Sequence, residues 1–111
     1  MSEFIDVLSE AELPAGKACQ VKIRDRCIAL FHTERGYFAA DDLCPHRGGP
    51  LSDGDLVGNE VTCPWHFWTF DVETGRHADP RLSLVTHKVS VDDGRVRVQL
   101  AEEPERFGSG M

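Results

Sequence analysis

Lys88-Val89-Ser90-Val91-Asp92-Asp93-Gly94-Arg95-Val96-Arg97-Val98-Gln99-Leu100 is the stretch that decides the fold class. Apolar and polar residues alternate on both sides of Asp93-Gly94, which is the period of a half-buried strand. An Asp-Gly pair supplies the positive-φ residues of a two-residue turn, so the stretch reads as a β-hairpin. The pattern extends backwards along the chain. Cys19-Gln20-Val21-Lys22-Ile23-Arg24 alternates, turns at Asp25-Arg26, and returns as Cys27-Ile28-Ala29-Leu30-Phe31. Glu34-Arg35-Gly36 turns again into Tyr37-Phe38-Ala39-Ala40. Glu60-Val61-Thr62-Cys63 and Trp68-Thr69-Phe70-Asp71 are two more short strands, with Glu73-Thr74-Gly75-Arg76 as the turn that follows. Ser9-Glu10-Ala11-Glu12-Leu13 alone suits a helical turn, capped by Ser9 and stopped by Pro14. The expectation is an all-β protein of short antiparallel strands.

At 111 residues the chain is one domain, read here as residues 1–101 followed by an acidic, flexible tail over 102–111. Twelve Lys and Arg against nineteen Asp and Glu leave a net charge of −7. Nucleic acid and anionic membrane both require a basic footprint, so this balance argues against either as partner. Cys27-Ile28-Ala29-Leu30-Phe31 is the longest apolar run, far short of the ~20 residues of a membrane span. Acidic Glu3 and Asp6 stand where a signal peptide would be basic and then apolar, so the expected location is the cytoplasm.

Two segments break the strand pattern: Cys44-Pro45-His46-Arg47-Gly48-Gly49-Pro50 and Cys63-Pro64-Trp65-His66. Together they read C-x-H, sixteen intervening residues, then C-x-x-H. Each follows a strand, in sequence whose Gly and Pro favour a loop over a ladder. Three readings compete. Taken singly, the cysteines suit a core and the histidines a surface. Jointly, two Cys-His pairs in two Gly/Pro loops resist assignment to packing. The set also meets the Cys₂His₂ count of a structural zinc site, but zinc fingers run two cysteines and then two histidines, usually around a helix. The third reading is a [2Fe-2S] cluster with Cys44 and Cys63 on one iron and His46 and His66 on the other, the mixed ligation that defines a Rieske centre.

On these residues the chain resembles the Rieske ferredoxin family, whose two cluster-binding boxes match Cys44, His46, Cys63 and His66 one for one. Pro45, Gly48-Gly49-Pro50-Leu51, Gly54, Pro64-Trp65 and Thr74-Gly75 are similar to the small members. Those are the small subunits of NAD(P)H-dependent nitrite reductases and the ferredoxins of ring-hydroxylating dioxygenases, with the Gly-Gly-Pro-Leu run nearer the first. The resemblance implies small stacked antiparallel sheets with two cluster-binding loops at one end, and one-electron transfer through a single [2Fe-2S] cluster. It implies as partners a flavoprotein or NAD(P)H-dependent reductase, and a terminal oxygenase or a nitrite reductase large subunit. The chain has no nucleotide-binding glycine motif, so it is expected to be an electron carrier rather than a complete enzyme. Pro45, Pro50, Trp65 and Phe67 would frame a small docking patch around outward-facing histidines, with acidic charge steering a basic partner.

Departures from the family pattern bear on redox chemistry. Gly49 and Trp65 stand where respiratory members carry a disulfide that pins the two loops. Trp68 and Phe70 stand where those members donate hydroxyl hydrogen bonds to the cluster. Such bonds favour the reduced, more negative cluster, so their loss implies a potential at the low end of the Rieske range, about −150 mV. His77-Ala78-Asp79-Pro80 resembles the proline loop that covers the cluster. Cys19 and Cys27 read as strand packing residues without a disulfide, and His32 and His87 as surface or core residues rather than ligands.

Overall fold

The computed structural model describes residues 4–24, 26–42, 50–63, 68–77 and 84–101. Nine strands appear among them: β1 Phe4–Ser9, β2 Lys17–Ile23, β3 Arg26–Thr33, β4 Gly36–Asp41, β5 Asp55–Val57, β6 Glu60–Thr62, β7 Thr69–Asp71, β8 Thr86–Asp92 and β9 Arg95–Gln99. Two single 3₁₀ turns complete the order, Glu10–Glu12 after β1 and Leu51–Asp53 before β5. Every strand pair is antiparallel, as the all-β reading expects. Six strands form one sheet in the order β1-β9-β8-β4-β3-β2, and three form a second in the order β5-β6-β7.

The hairpin that carried the sequence argument forms with Asp92 paired to Arg95. Asp93 and Gly94 take φ of 54° and 74°, the two left-handed residues of a type I′ turn. The 3₁₀ turn after β1 falls where the helical turn was expected. However, Ser9 Oγ bonds the Glu12 carboxylate at 3.2 Å instead of capping the backbone.

β3 explains its own uninterrupted apolar run. Ile28 and Leu30 enter one core cluster, with Leu8, Leu13, Ile23, Ala39, Val96 and Val98. Ala29 and Phe31 enter the other, with Ala40, Leu51, Val61, Cys63, Phe70, Val72 and Leu84. A strand buried on both faces has no polar side to show. Leu8 and Ile23 belong to opposite edge strands yet share a cluster, so the large sheet curls on itself around that core. The second cluster glues the small sheet to the large one. Each fully buried Phe or Leu in it stabilises the fold by about 1.5–3 kcal/mol.

One expectation needs correction. Cys27 is exposed, whereas the alternation had suggested a packing residue; the inward positions at this end of β3 begin at Ile28. Cys19 is half-buried, and both are free thiols. Among the described residues no helix is long and apolar enough to cross a membrane. The acidic tail over 102–111 lies outside the described residues.

Candidate metal centre

Three stretches outside the described residues are flanked by bases that are tied shut. The first lies between β4 and the Leu51–Asp53 turn. Asp42 Oδ1 accepts the Ser52 backbone N–H at 2.7 Å, and its Oδ2 accepts Ser52 Oγ–H at 2.6 Å. Gln20 Nε2 donates to the same Oδ2 at 2.7 Å, and the Asp42 N–H bonds the Cys27 carbonyl. Leu51, fully buried, plugs this base into the core between the sheets.

The second base lies at the open end of β6 and β7. Cys63 donates its N–H to the Trp68 carbonyl at 2.7 Å, one step beyond the Thr62–Thr69 pair. Val61 pairs with Phe70, so by strand alternation Val61, Cys63, Trp68 and Phe70 share one face. That face packs on the large sheet, and the Cys63 and Phe70 side chains are fully buried there.

The two bases touch. A Cβ placed on Gly54 would lie 2.2 Å from the Thr62 carbonyl oxygen, so only glycine allows the backbone after the first loop to rest on the backbone before the second. The third base is closed by Leu84 N–H donating to the Gly75 carbonyl at 2.8 Å. At its start the His77 ring stacks on Trp68, with centroids 4.7 Å apart and planes 18° apart, and tilts against Phe70 at 5.1 Å. The bases therefore form one connected platform.

Cys63 is the member of the Cys44, His46, Cys63, His66 set that falls within the described residues, and the structure puts it, buried, on that platform. Cys44, His46 and His66 lie outside the described residues, as do the expected patch members Pro45, Trp65 and Phe67, the Gly48-Gly49 run and the cover-loop residues Ala78, Asp79 and Pro80. Pro50 and His77 border those segments. Other thiols and imidazoles are engaged or displaced elsewhere. Burial, and then the Glu12 charge, push the Cys19 thiol above its ordinary range, which keeps it protonated. His32 Nδ1 sits 2.7 Å from the Leu13 carbonyl and its ring stacks on Tyr37. Both ring nitrogens of His87 are bonded, to Asp41 and to Ala101 N–H.

A buried thiol on a platform where the described bases of the two Cys-His segments meet suits a two-iron centre. Soft thiolates and borderline imidazoles are the donors such a centre takes. Sequence reading missed the Asp42–Ser52 clamp and the Trp68–His77 stack. The Ser52-Asp53-Gly54 turn signal was the trace of the first.

Comparison with known proteins agrees. The family model for the Rieske [2Fe-2S] domain matches residues 3–98. The chain is 35% identical over 101 residues to the ferredoxin component of the naphthalene 1,2-dioxygenase system of Pseudomonas aeruginosa, covering 89% of this chain and 97% of that one. In a solved complex of reduced oxygenase and oxidised ferredoxin in carbazole 1,9a-dioxygenase, a chain superposes with a TM-score of 0.81 at 26% identity, covering 92% and 97%. A Mycobacterium tuberculosis protein described as an NADH-dependent nitrite reductase small subunit has the same fold, with a TM-score of 0.83 at 22% identity and coverage of 93% and 99%.

Proposed function

We propose that this chain, which belongs to the Rieske [2Fe-2S] domain family and transfers electrons through that family's cluster, is the ferredoxin component of a dioxygenase system. Its 35% identity to a dioxygenase ferredoxin along 97% of that protein is the observation that carries the reading. A nitrite reductase small subunit is the second reading, supported by a solved structure of that description at 26% identity and a TM-score of 0.77.

In the proposed centre Cys44 and Cys63 would hold one iron, and His46 and His66 would hold the other. When bound, the cluster accepts and releases one electron at a time. The chain's own part is to hold donors and exclude water. Cys63 is withdrawn into the core with Phe70 and Leu51, so its thiolate meets an apolar wall. Trp68 and His77 stack beside it and tie the base of the third segment to that of the second. His46 and His66 would be the electron gate, and the net charge of −7 steers a basic partner surface toward the chain. The partners are a flavoprotein reductase as donor and a terminal oxygenase as acceptor. A cytoplasmic location suits the unpaired thiols of Cys19 and Cys27.

The visible spectrum of the purified protein, with single Cys44→Ser, His46→Asn, Cys63→Ser and His66→Asn variants, tests the site. Each substitution is expected to abolish or alter the spectrum, and an unchanged spectrum in any one removes that residue from the ligand set. Reduction of a dioxygenase terminal component, but not of a nitrite reductase large subunit, is the expected pattern with purified partners. The reverse pattern overturns the dioxygenase assignment.

A further inference from the structure

Asp41 and Asp42 are neighbours with opposite electrostatic fates. Asp41 is neutralised, since Arg26 Nη2 bonds its Oδ1 at 3.0 Å. Asp42 is 6% exposed and holds three neutral donors: the Ser52 N–H, the Ser52 hydroxyl and the Gln20 amide. Among the described residues no cation pairs with it. Burying a carboxylate without a cation is costly, and three short bonds to neutral groups are the least that makes it tolerable. A loop closure alone could use Asn or Ser at this position without burying a charge. Something beyond closure is served by the carboxylate.

We propose that Asp42 is a positioning residue that also sets the redox potential: its buried charge, two residues before Cys44, holds the cluster's potential down. The inference rests on the reading of Cys44 as a ligand. Two residues of chain span at most about 7 Å between Cα atoms, and the two short side chains add about 5 Å, so the carboxylate lies at most about 12 Å from the thiolate. Asp42 is buried, so protein rather than salt solution surrounds its charge and salt screens it little. A fixed negative charge opposes the arrival of an electron, and the hydrogen bonds from Ser52 and Gln20 partly offset it.

Asp42→Asn is nearly isosteric and can keep the clamp. Its carbonyl accepts the Ser52 N–H, while its amide donates to Ser52 Oγ and to a flipped Gln20 carbonyl. Ser52→Ala does the opposite, leaving the charge and removing one of the donors that offset it. In the full-length protein the midpoint potential is expected to rise in Asp42→Asn and to fall in Ser52→Ala, with visible absorbance per chain retained. A brace without an electrostatic role would loosen the loop in both variants and move both potentials the same way. That result, or an unchanged potential in Asp42→Asn, overturns the inference. If Asp42→Asn retains no cluster, Ser52→Ala decides alone: a lowered potential supports the inference, and an unchanged or raised one overturns it. Cys44→Ser separates the two layers. A wild-type spectrum in that variant removes the ligand reading and the inference with it, whereas a wild-type potential in Asp42→Asn removes the inference only.

Discussion

Ala101 donates its backbone N–H to Nδ1 of His87 across 2.9 Å, and this bond fixes the protonation state of a buried ring. Nδ1 must be the acceptor, so the proton sits on Nε2, which donates to Asp41 Oδ1 at 2.8 Å. The ring is therefore neutral. Burial holds its pKa below the ordinary 6.5, the Asp41 hydrogen bond opposes that without winning, and Arg26 adds to the lowering. Arg26 also reaches the Ala101 carbonyl at 3.4 Å, so His87, Asp41 and Arg26 together dock the end of the described chain onto the large sheet.

The pH dependence follows from that lowering. Between the lowered native value and 6.5 the unfolded chain binds a proton that the folded chain does not, so stability rises with pH there. It is complete above 6.5 and declines as pH falls toward the native value, by up to about 1.4 kcal/mol per unit. Thermal melts from pH 5 to 8 should show this decline in the wild type and a flatter profile in His87→Gln. Parallel profiles would mean that His87 keeps an ordinary pKa.

Gly54→Ala should be the most damaging glycine substitution near the site. Its Cβ would meet the Thr62 carbonyl at 2.2 Å and the Leu51 carbonyl at 3.2 Å, all backbone atoms that cannot swing away. Over-packing of this kind costs about 1–3 kcal/mol, and here it also pushes the two loop bases apart. Gly58→Ala is the comparison, since nothing lies within 4 Å of its Cβ and only its φ of 61° is strained, for about 1–2 kcal/mol. Denaturant melts and visible absorbance should show cluster loss in the first and full content in the second.

The hairpins were legible because their information is local. Alternation and an Asp-Gly pair suffice for β8 and β9, and a doubly buried β3 betrays itself as an apolar run. β1 was not read as a strand because its register shifts between Asp6 and Leu8, which breaks the period of two. β5 was missed because three residues, Asp55–Val57, carry no period at all. At the site, the two Cys-His segments stood out as residue types at telling spacings. The Asp42–Ser52 clamp and the Trp68–His77 stack join positions about ten apart with no repeat between them, and only the folded backbone brings them together.

Cys19 and Cys27 should be dispensable for the cluster but unequal in reactivity. The exposed Cys27 thiol should react first with an aromatic disulfide reagent, and half-buried Cys19, its pKa raised by burial and Glu12, much later. Mass spectrometry of partly modified protein gives the order. A Cys19→Ala/Cys27→Ser protein should keep full visible absorbance, and losing it would give one of these thiols a role at the centre.

Phe70→Tyr tests the low-potential argument most directly. Phe70 is fully buried on the face it shares with Cys63, in the same apolar cluster, so a hydroxyl added to its ring has no water to turn to. An unsatisfied hydroxyl there would cost about 1–3 kcal/mol, whereas a bond to a thiolate ligand would recover it. The bond is stronger to the reduced cluster, and a difference of about 1 kcal/mol between redox states corresponds to about 40 mV for one electron. The midpoint potential should therefore rise by about that amount with stability and cluster content kept. Trp68→Ser aims at the same effect but removes the ring that stacks on His77, opening a cavity at the third loop, so it is the poorer probe. The competing acceptor for the new hydroxyl is His77, whose ring lies 5.1 Å from that of Phe70. Phe70→Tyr in a His77→Phe background closes that route. A potential that stays put in both backgrounds, with the cluster intact, would mean that the edge of Phe70 points away from the sulfur ligands.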